Sequence, residues 1–267
     1  MIIENGLETR TMRAYRENLA PDEQARFDQL RAADAEAPRQ FVNFAFYKLD
    51  PLFRRELSEA ERTDAACELA EVIESAQTKF LLYPYSTLGI RPECDFLLWR
   101  ISYRIEDFEE MTTALLRTRM GQYLSTPYSY LAMTKTSIYV DEHDFEDREA
   151  GRKQIVIGGG KYLFVYPFIK TRAWYRLTAD ERKRAMREHI TVGHEYPSIK
   201  LNTTYSFGLD DQEFVVAFES DYPQDFLDLV HKLRESEASA YTERDVPVFT
   251  CLQQDVQTIL KHVGGVK

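Results

Sequence analysis

One order of elements, strand–helix–strand–strand–helix–strand, can be read twice in succession along the chain. This repetition limits the available folds more than any other feature. In the first pass, 41–48 (FVNFAFYK) alternates and is rich in aromatics, which predicts a strand. Ser58 followed by Glu61 is a capping box, and apolar residues recur at helical spacing to about Ala76. Strands are predicted at 79–83 and 94–103, a helix at 105–118 and a long strand at 128–140. In the second pass, 161–169 predicts a strand, and Thr178 with Glu181 opens a helix to about Thr191. Strands at 198–207 and 212–219 flank the turn Gly208-Leu209-Asp210-Asp211. A helix at 224–239, a strand at 246–252 and a short helix at about 252–262 end the chain.

Each half thus predicts a ferredoxin-like unit with helices on one face of an antiparallel sheet. The other face also carries aromatic and aliphatic residues at alternate positions and must be buried. Two sheets facing one another, or closing into a barrel, both satisfy that need. An interior of that kind has room for a large apolar ligand. The expected divisions are an N-terminal arm at 1–40, with helical character around 22–33, an N-terminal half at 41–145 and a C-terminal half at 146–267. The acidic, then basic, then glycine-rich stretch 141–160 reads as a connector, with Gly158-Gly159-Gly160 a flexible lead into the next strand. No Lys-Ser/Thr and no helix follows those glycines, which argues against a phosphate loop.

Composition excludes several function classes. The 267 residues carry a net charge of −10, which disfavours both sequence-general nucleic-acid binding and an anionic membrane surface as partner. Cys67, Cys94 and Cys251 are too few and too scattered for a disulfide framework and read as free thiols. The charged N-terminus lacks a signal-peptide core, and no stretch approaches ~18 uninterrupted apolar residues. A soluble cytoplasmic protein is the expectation.

No HxH, HExxH or zinc-type set occurs among the five histidines. His189 stands out because it shares a helix face with Ala185 and Met186. It reads either as a core histidine satisfied by one hydrogen bond or as an axial ligand of a haem-like iron. A period of two places Tyr166, Phe168 and Lys170 on one strand face, with Val165 and Ile169 on the other. These are aromatic core positions ending in a lysine, or a redox-capable phenol beside a cation. The bulk of Trp174 and Tyr175 suits either a core or a porphyrin wall.

The ordered set YP-x-x-K, WY-x-L, ER-x-x-x-M-x-EH-x-x-x-G-x-x-Y and GLDD-x-EF, within about 161–251, resembles the chlorite dismutase / coproheme decarboxylase family. The N-terminal half matches more loosely, in element order. The resemblance implies an α+β fold: a dimeric α/β barrel made of two ferredoxin-like halves with antiparallel sheets, assembled as a homopentamer, with the porphyrin in the C-terminal half. It implies His189 as the proximal iron ligand, Tyr166 as the reactive tyrosine and Lys170 as its companion lysine. It further implies Glu237 as acceptor of the histidine N–H, and Ser239 and Arg152 as propionate anchors. The distal position falls on Leu201 or Asn202, where chlorite-degrading members carry arginine. No arginine occurs between Arg187 and Arg234, which disfavours chlorite turnover. The GxxDG motif of dye-decolourising peroxidases is also absent.

The implied activity is peroxide-dependent oxidative decarboxylation of two propionates of iron-coproporphyrin III, both substrate and cofactor, to give haem b. A transient contact with ferrochelatase would accompany it. A haem carrier or sensor, and a peroxidase or chlorite-degrading enzyme, are the alternatives.

Overall fold

The computed structural model describes residues 38–137 and 154–266. The expectations for the 1–37 part of the arm, for Arg152 and for much of the connector lie outside the described residues. The first half contains β1 (Phe41–Leu49), α1 (Leu52–Glu56), α2 (Glu59–Gln77), β2 (Leu81–Ser86), β3 (Phe96–Ser102), α3 (Glu106–Arg117) and β4 (Leu124–Met133). The second contains β5 (Tyr162–Lys170), α4 (Arg172–Arg176), α5 (Ala179–His194), β6 (Lys200–Tyr205), β7 (Phe214–Ser220) and α6 (Pro223–Leu233). A 3-10 turn (Glu237–Tyr241), β8 (Thr242–Arg244), β9 (Phe249–Gln253) and α7 (Val256–Gly264) follow.

Both capping boxes form in full: Ser58 with Glu61 opens α2, and Thr178 with Glu181 opens α5. The double β-α-β-β-α-β order holds, with short helices α1 and α4 added where the sequence pattern predicts none. The fourth strand begins earlier than expected, at Leu124. Its register against β1 slips between Phe46 and Lys48, opposite Thr126 and Pro127. Proline has no N–H for the ladder, and one extra residue on that strand is accommodated as a bulge there. The helix expected at 224–239 stops at Leu233, and the 3-10 turn and β8 take up the following residues.

All strand pairings are antiparallel within the main sheet, and their order is β7-β6-β4-β1-β3-β2-β9-β5, with β7 also paired to β5. The pairings therefore close on themselves. Alternation then divides every strand between two environments. Val42, Phe44 and Phe46 of β1 point inward with Leu97, Trp99 and Ile101 of β3, Leu163 and Val165 of β5, Val215 and Ala217 of β7, and Phe249 of β9. This inner core draws on both halves: the rings of Phe46 and Phe249 lie 4.0 Å apart. Ala45, Tyr47 and Leu49 point outward beneath α2 and α7. The C-terminal helix therefore packs on the first half, with the Arg54 guanidinium donating to the Val263 carbonyl at 2.9 Å. Cys94 and Cys251 are buried, Cys67 is half-buried, and all three are free thiols.

Two joins between the halves are narrow. β2 meets β9 through two residue pairs, and β4 meets β6 through Met133 and Tyr205 alone. The turn after β6 reinforces the second join. Asp210 Oδ2 accepts the Leu131 N–H at 2.8 Å and the Gln212 amide at 2.8 Å. Ser206 Oγ donates to the Leu131 carbonyl at 2.8 Å. The GLDD turn is thus a clasp across the seam.

The triple glycine is also held rather than slack. The N–H groups of Gly158 and Gly159 donate to the buried Glu219 carboxylate at 2.9–3.0 Å. Gly159 adopts φ +74°, and a Cβ on Gly160 would lie 2.7 Å from the Ser220 nitrogen. Side chains are excluded there by backbone conformation and by close approach. Burial pushes the Glu219 carboxyl up, opposed by these N–H groups.

Asp210→Ala is expected to destabilise the protein by ~1–3 kcal/mol, because it leaves a partly buried N–H without its acceptor. Asp211→Ala, on the exposed side of the same turn, should change stability by less than ~0.5 kcal/mol. Urea unfolding of the two variants checks the difference; equal midpoints would remove the clasp role.

Candidate functional site

The outer face of the second half is covered differently from that of the first. Phe164 of β5 stacks on Phe226 of α6 at 4.0 Å, and Phe218 of β7 lies 5.1 Å from Phe226. Beyond this aromatic wedge the helices stand off the sheet and leave a cavity of about 100 Å³. Its floor is Tyr166, Phe168 and Lys170 of β5, the three residues that period-two alternation puts together. His189 of α5 closes one side, and Phe226, Val230, Leu233 and Arg234 of α6 form another. Ala238, Ser239, Thr242, Asp245 and Val248 complete the wall.

His189 is held by its helix. Ala185, one turn earlier, is fully buried against Trp174 and Ala238, which turns this face toward the sheet. Nδ1 of His189 is buried and has no hydrogen-bond partner. Burial, aided by the nearby Lys170 charge, lowers the imidazole to about 4. The ring is therefore neutral at physiological pH, the form that ligates a metal. An unsatisfied buried nitrogen costs ~1–3 kcal/mol, so the position is better suited to a site than to a satisfied core.

Lys170 is almost fully buried. Its ammonium donates to the Ala238 carbonyl at 2.7 Å and sits 4.6 Å above the Trp174 ring. Burial lowers it to about 8, partly offset by Glu213. A register shift between Ile169 and Lys170, where β8 joins β5, sets the end of this strand. Glu213 was not singled out by the sequence. It fixes this corner by accepting the Lys170 backbone N–H at 2.9 Å and the Tyr175 hydroxyl at 2.6 Å. Tyr166 stacks on Phe218 at 6.0 Å. Burial pushes its phenol up, and the Asp245 carboxylate adds to the effect, so the phenol keeps its proton.

Other expected site residues are placed differently. Glu237 does not serve His189: its carboxylate accepts from Arg184 at 2.9 Å, and its backbone N–H donates to Glu188 at 2.8 Å. The competing guanidinium on the same helix as His189 is the physical reason. Trp174 is 1% exposed and packs behind Lys170, beside Tyr241, so the cavity's apolar wall is formed by Phe168, Phe226, Val230 and Leu233 instead. Ser239 does line the cavity.

Of the two candidates for the distal position, Leu201 pairs with Phe218 and so shares the site's face of the sheet. Asn202 pairs with inward-facing Ala217, and its amide donates to Glu219 at 3.2 Å. Arg234 and Asp245 form an ion pair at the cavity wall that sequence reasoning missed. Their link joins the end of α6 to the loop after β8, and no sequence spacing encodes it. Among the described residues, no cluster of three or more His, Cys, Asp or Glu could hold a bare metal ion. No helix among them is long and apolar enough to cross a membrane.

An antiparallel sheet whose inner face is core, with a helix setting a neutral histidine beside the tyrosine and lysine of its outer face, is an α+β architecture consistent with ferredoxin-like halves. Residues 62–254 match the family described as chlorite dismutase, and the chain belongs to that family. It is 26% identical over 230 residues to a coproheme decarboxylase of Mycolicibacterium smegmatis, covering 85% of this chain and 96% of that protein. It is 27% identical over 217 residues to a chlorite dismutase of Ideonella dechloratans, covering 80% and 76% respectively. A mutant chlorite dismutase from Candidatus Nitrospira defluvii superposes with a TM-score of 0.77 at 23% identity, covering 84% of this chain and 95% of that one. A heme-binding protein from Thermus thermophilus gives 0.74 at 23% identity, covering 85% and 95%.

A pH dependence follows from His189. Its folded value, about 4, lies below the ordinary 6.5, so the unfolded chain binds the proton first. Its contribution to stability is therefore lost as pH falls from about 6.5 through about 4. Urea midpoints of the ligand-free protein should decline over this window more steeply than those of His189→Gln. Parallel declines would contradict the buried neutral imidazole.

Proposed function

We propose that the protein is a peroxide-dependent coproheme decarboxylase, converting two propionates of iron-coproporphyrin III to vinyl groups and so forming haem b. The carrying observation is that one cavity brings together His189, Tyr166 and Lys170, on a sheet face whose distal candidate is Leu201 rather than arginine. A buried imidazole nitrogen without a partner and an apolar wall beside cationic side chains fit an iron porphyrin bearing carboxylates. The cavity as it stands, about 100 Å³, is below the ~300–1,000 Å³ typical of ligand pockets, so this reading needs a wider opening than the structure shows.

In this reading His189 holds the iron from α5, a rigid element that fixes the ring's direction. When bound, the porphyrin iron supplies the one-electron oxidising power drawn from peroxide. Tyr166 transfers hydrogen: its phenol, kept protonated by burial, gives up a proton and an electron. The resulting phenoxyl would take a hydrogen atom from the β-carbon of a propionate; that carbon gives up a second electron to the peroxide-derived oxidant as the carboxylate leaves as CO2, and the C–C bond electrons become the vinyl double bond. Closeness governs that step more than acidity does. Lys170 pairs with the propionate carboxylate, and its lowered value, about 8, lets the amine exchange a proton near neutral pH. Phe226, Val230 and Leu233 exclude water from the reacting edge. Chlorite chemistry is disfavoured because the distal candidate, Leu201, carries no guanidinium to hold an oxyanion.

Tyr166→Phe is expected to bind iron coproporphyrin within about threefold of wild type but to release no CO2 on peroxide addition, as read by product mass; one hydroxyl contributes little to binding so large a ligand. His189→Ala should lose the porphyrin's ligated absorbance spectrum. Decarboxylation by Tyr166→Phe at the wild-type rate would overturn the assignment. Bleaching by the wild type without CO2 would favour a haem carrier, and oxygen evolved from chlorite would favour a dismutase.

A further inference from the structure

The cavity contains one ion pair that the proposed mechanism does not use. Arg234, at the end of α6, is bonded to Asp245, in the loop between β8 and β9, and both line the cavity. The Asp245 side chain is 18% exposed, while that of Arg234 is 51% exposed. The carboxylate is thus the more enclosed partner, and the guanidinium reaches solvent along its outer edge. The other cation in the wall, Lys170, rests on a carbonyl and on aromatic faces, with no carboxylate among the described residues as a hydrogen-bond partner of its ammonium. One cation therefore stands ready for an anion, and the other already holds one.

We infer that Asp245 limits how tightly the site holds a carboxylate-bearing porphyrin: its carboxylate occupies Arg234 in place of a ligand carboxylate, and a ligand reaches Arg234 only by exchange. The inference rests on the porphyrin reading above. A carboxylate-for-carboxylate exchange keeps the guanidinium paired throughout but leaves the more enclosed Asp245 carboxylate without it, so the exchange costs part of what the ligand's own ion pair returns. The exchange favours a porphyrin that carries a carboxylate at that edge. A porphyrin without a carboxylate at that edge cannot compete, and Arg234 stays with Asp245. Asp245 thus holds down the affinity for a tetracarboxylate porphyrin and leaves that for a dicarboxylate lacking a carboxylate there unchanged. Asp245 acts through Arg234 and is a specificity residue, not a catalytic one.

The test is equilibrium binding to the full-length ligand-free protein, read by the porphyrin absorbance band, with iron coproporphyrin III and haem b as separate probes. Asp245→Asn keeps the side chain's shape and removes its charge. It should tighten iron coproporphyrin about fivefold or more and leave haem b within about twofold. Arg234→Gln should weaken iron coproporphyrin by a similar factor. In the Arg234→Gln background, Asp245→Asn should have no further effect, because the competition has lost its object. Asp245→Ala, checked by its urea midpoint, repeats the measurement with a shorter side chain. Unchanged affinities in both Asp245 variants, or equal tightening of both porphyrins, would overturn the inference and leave the function standing. A wild-type protein that binds neither porphyrin would overturn both.

Discussion

β1, β3, β5 and β7 have apolar side chains on both faces, and the rest of the structure depends on burying both. The contact between Phe46 and Phe249, 4.0 Å between rings, shows how this is achieved. β9, late in the chain, enters beside β2 and seals the interior against residues from the first half. Once the inner face is a shared core, the helices must cover the outer face. In the first half α2, α3 and α7 do so. In the second half Phe164 and Phe218 pack against Phe226 of α6, and the candidate site lies beside them, lined by β5, α5 and α6.

Burial then sets the chemistry of that gap. The same loss of water acts in different directions on different groups. It lowers His189 and keeps its imidazole neutral, raises Tyr166 and keeps its phenol protonated, and lowers Lys170 to about 8, where it can lose or hold its proton. Three residue types reach useful protonation states through one physical cause. The aromatic walls that exclude water belong to the chemistry as much as the polar groups they surround. Arg234 and Asp245 lie nearer solvent and remain an ordinary ion pair, which leaves them free to exchange partners.

The sequence revealed the site in proportion to how local its signals are. The second capping box fixed where α5 starts, so the face carrying Ala185 and His189 could be assigned in advance. Alternation along β5 placed Tyr166, Phe168 and Lys170 together without reference to any other strand. Glu237 was misjudged because its partner depends on competition: Arg184 is close enough to take the carboxylate, and no spacing rule ranks such rivals. Leu201 and Asn202 could not be separated by counting, since a one-residue uncertainty in register exchanges the two faces of a strand. The pairings with Phe218 and Ala217 separate them. The glycines at 158–160 looked flexible because nothing in the local sequence points to Glu219, some sixty residues further on.

Alone, the sequence determined the order of the principal strands and helices, which faces are apolar, and the strand and helix that carry Tyr166, Lys170 and His189. These follow from backbone geometry with periods of two and 3.6 residues, which operate over a few positions. Tertiary structure decided the closure of the sheet, the packing of α7 against the first half, the clasp of Asp210 on Leu131, and the pairings of Glu213, Glu219, Arg184 and Arg234. Those contacts join residues distant in the chain. Their energies come from desolvation and competition among partners, quantities that exist only after the chain has folded.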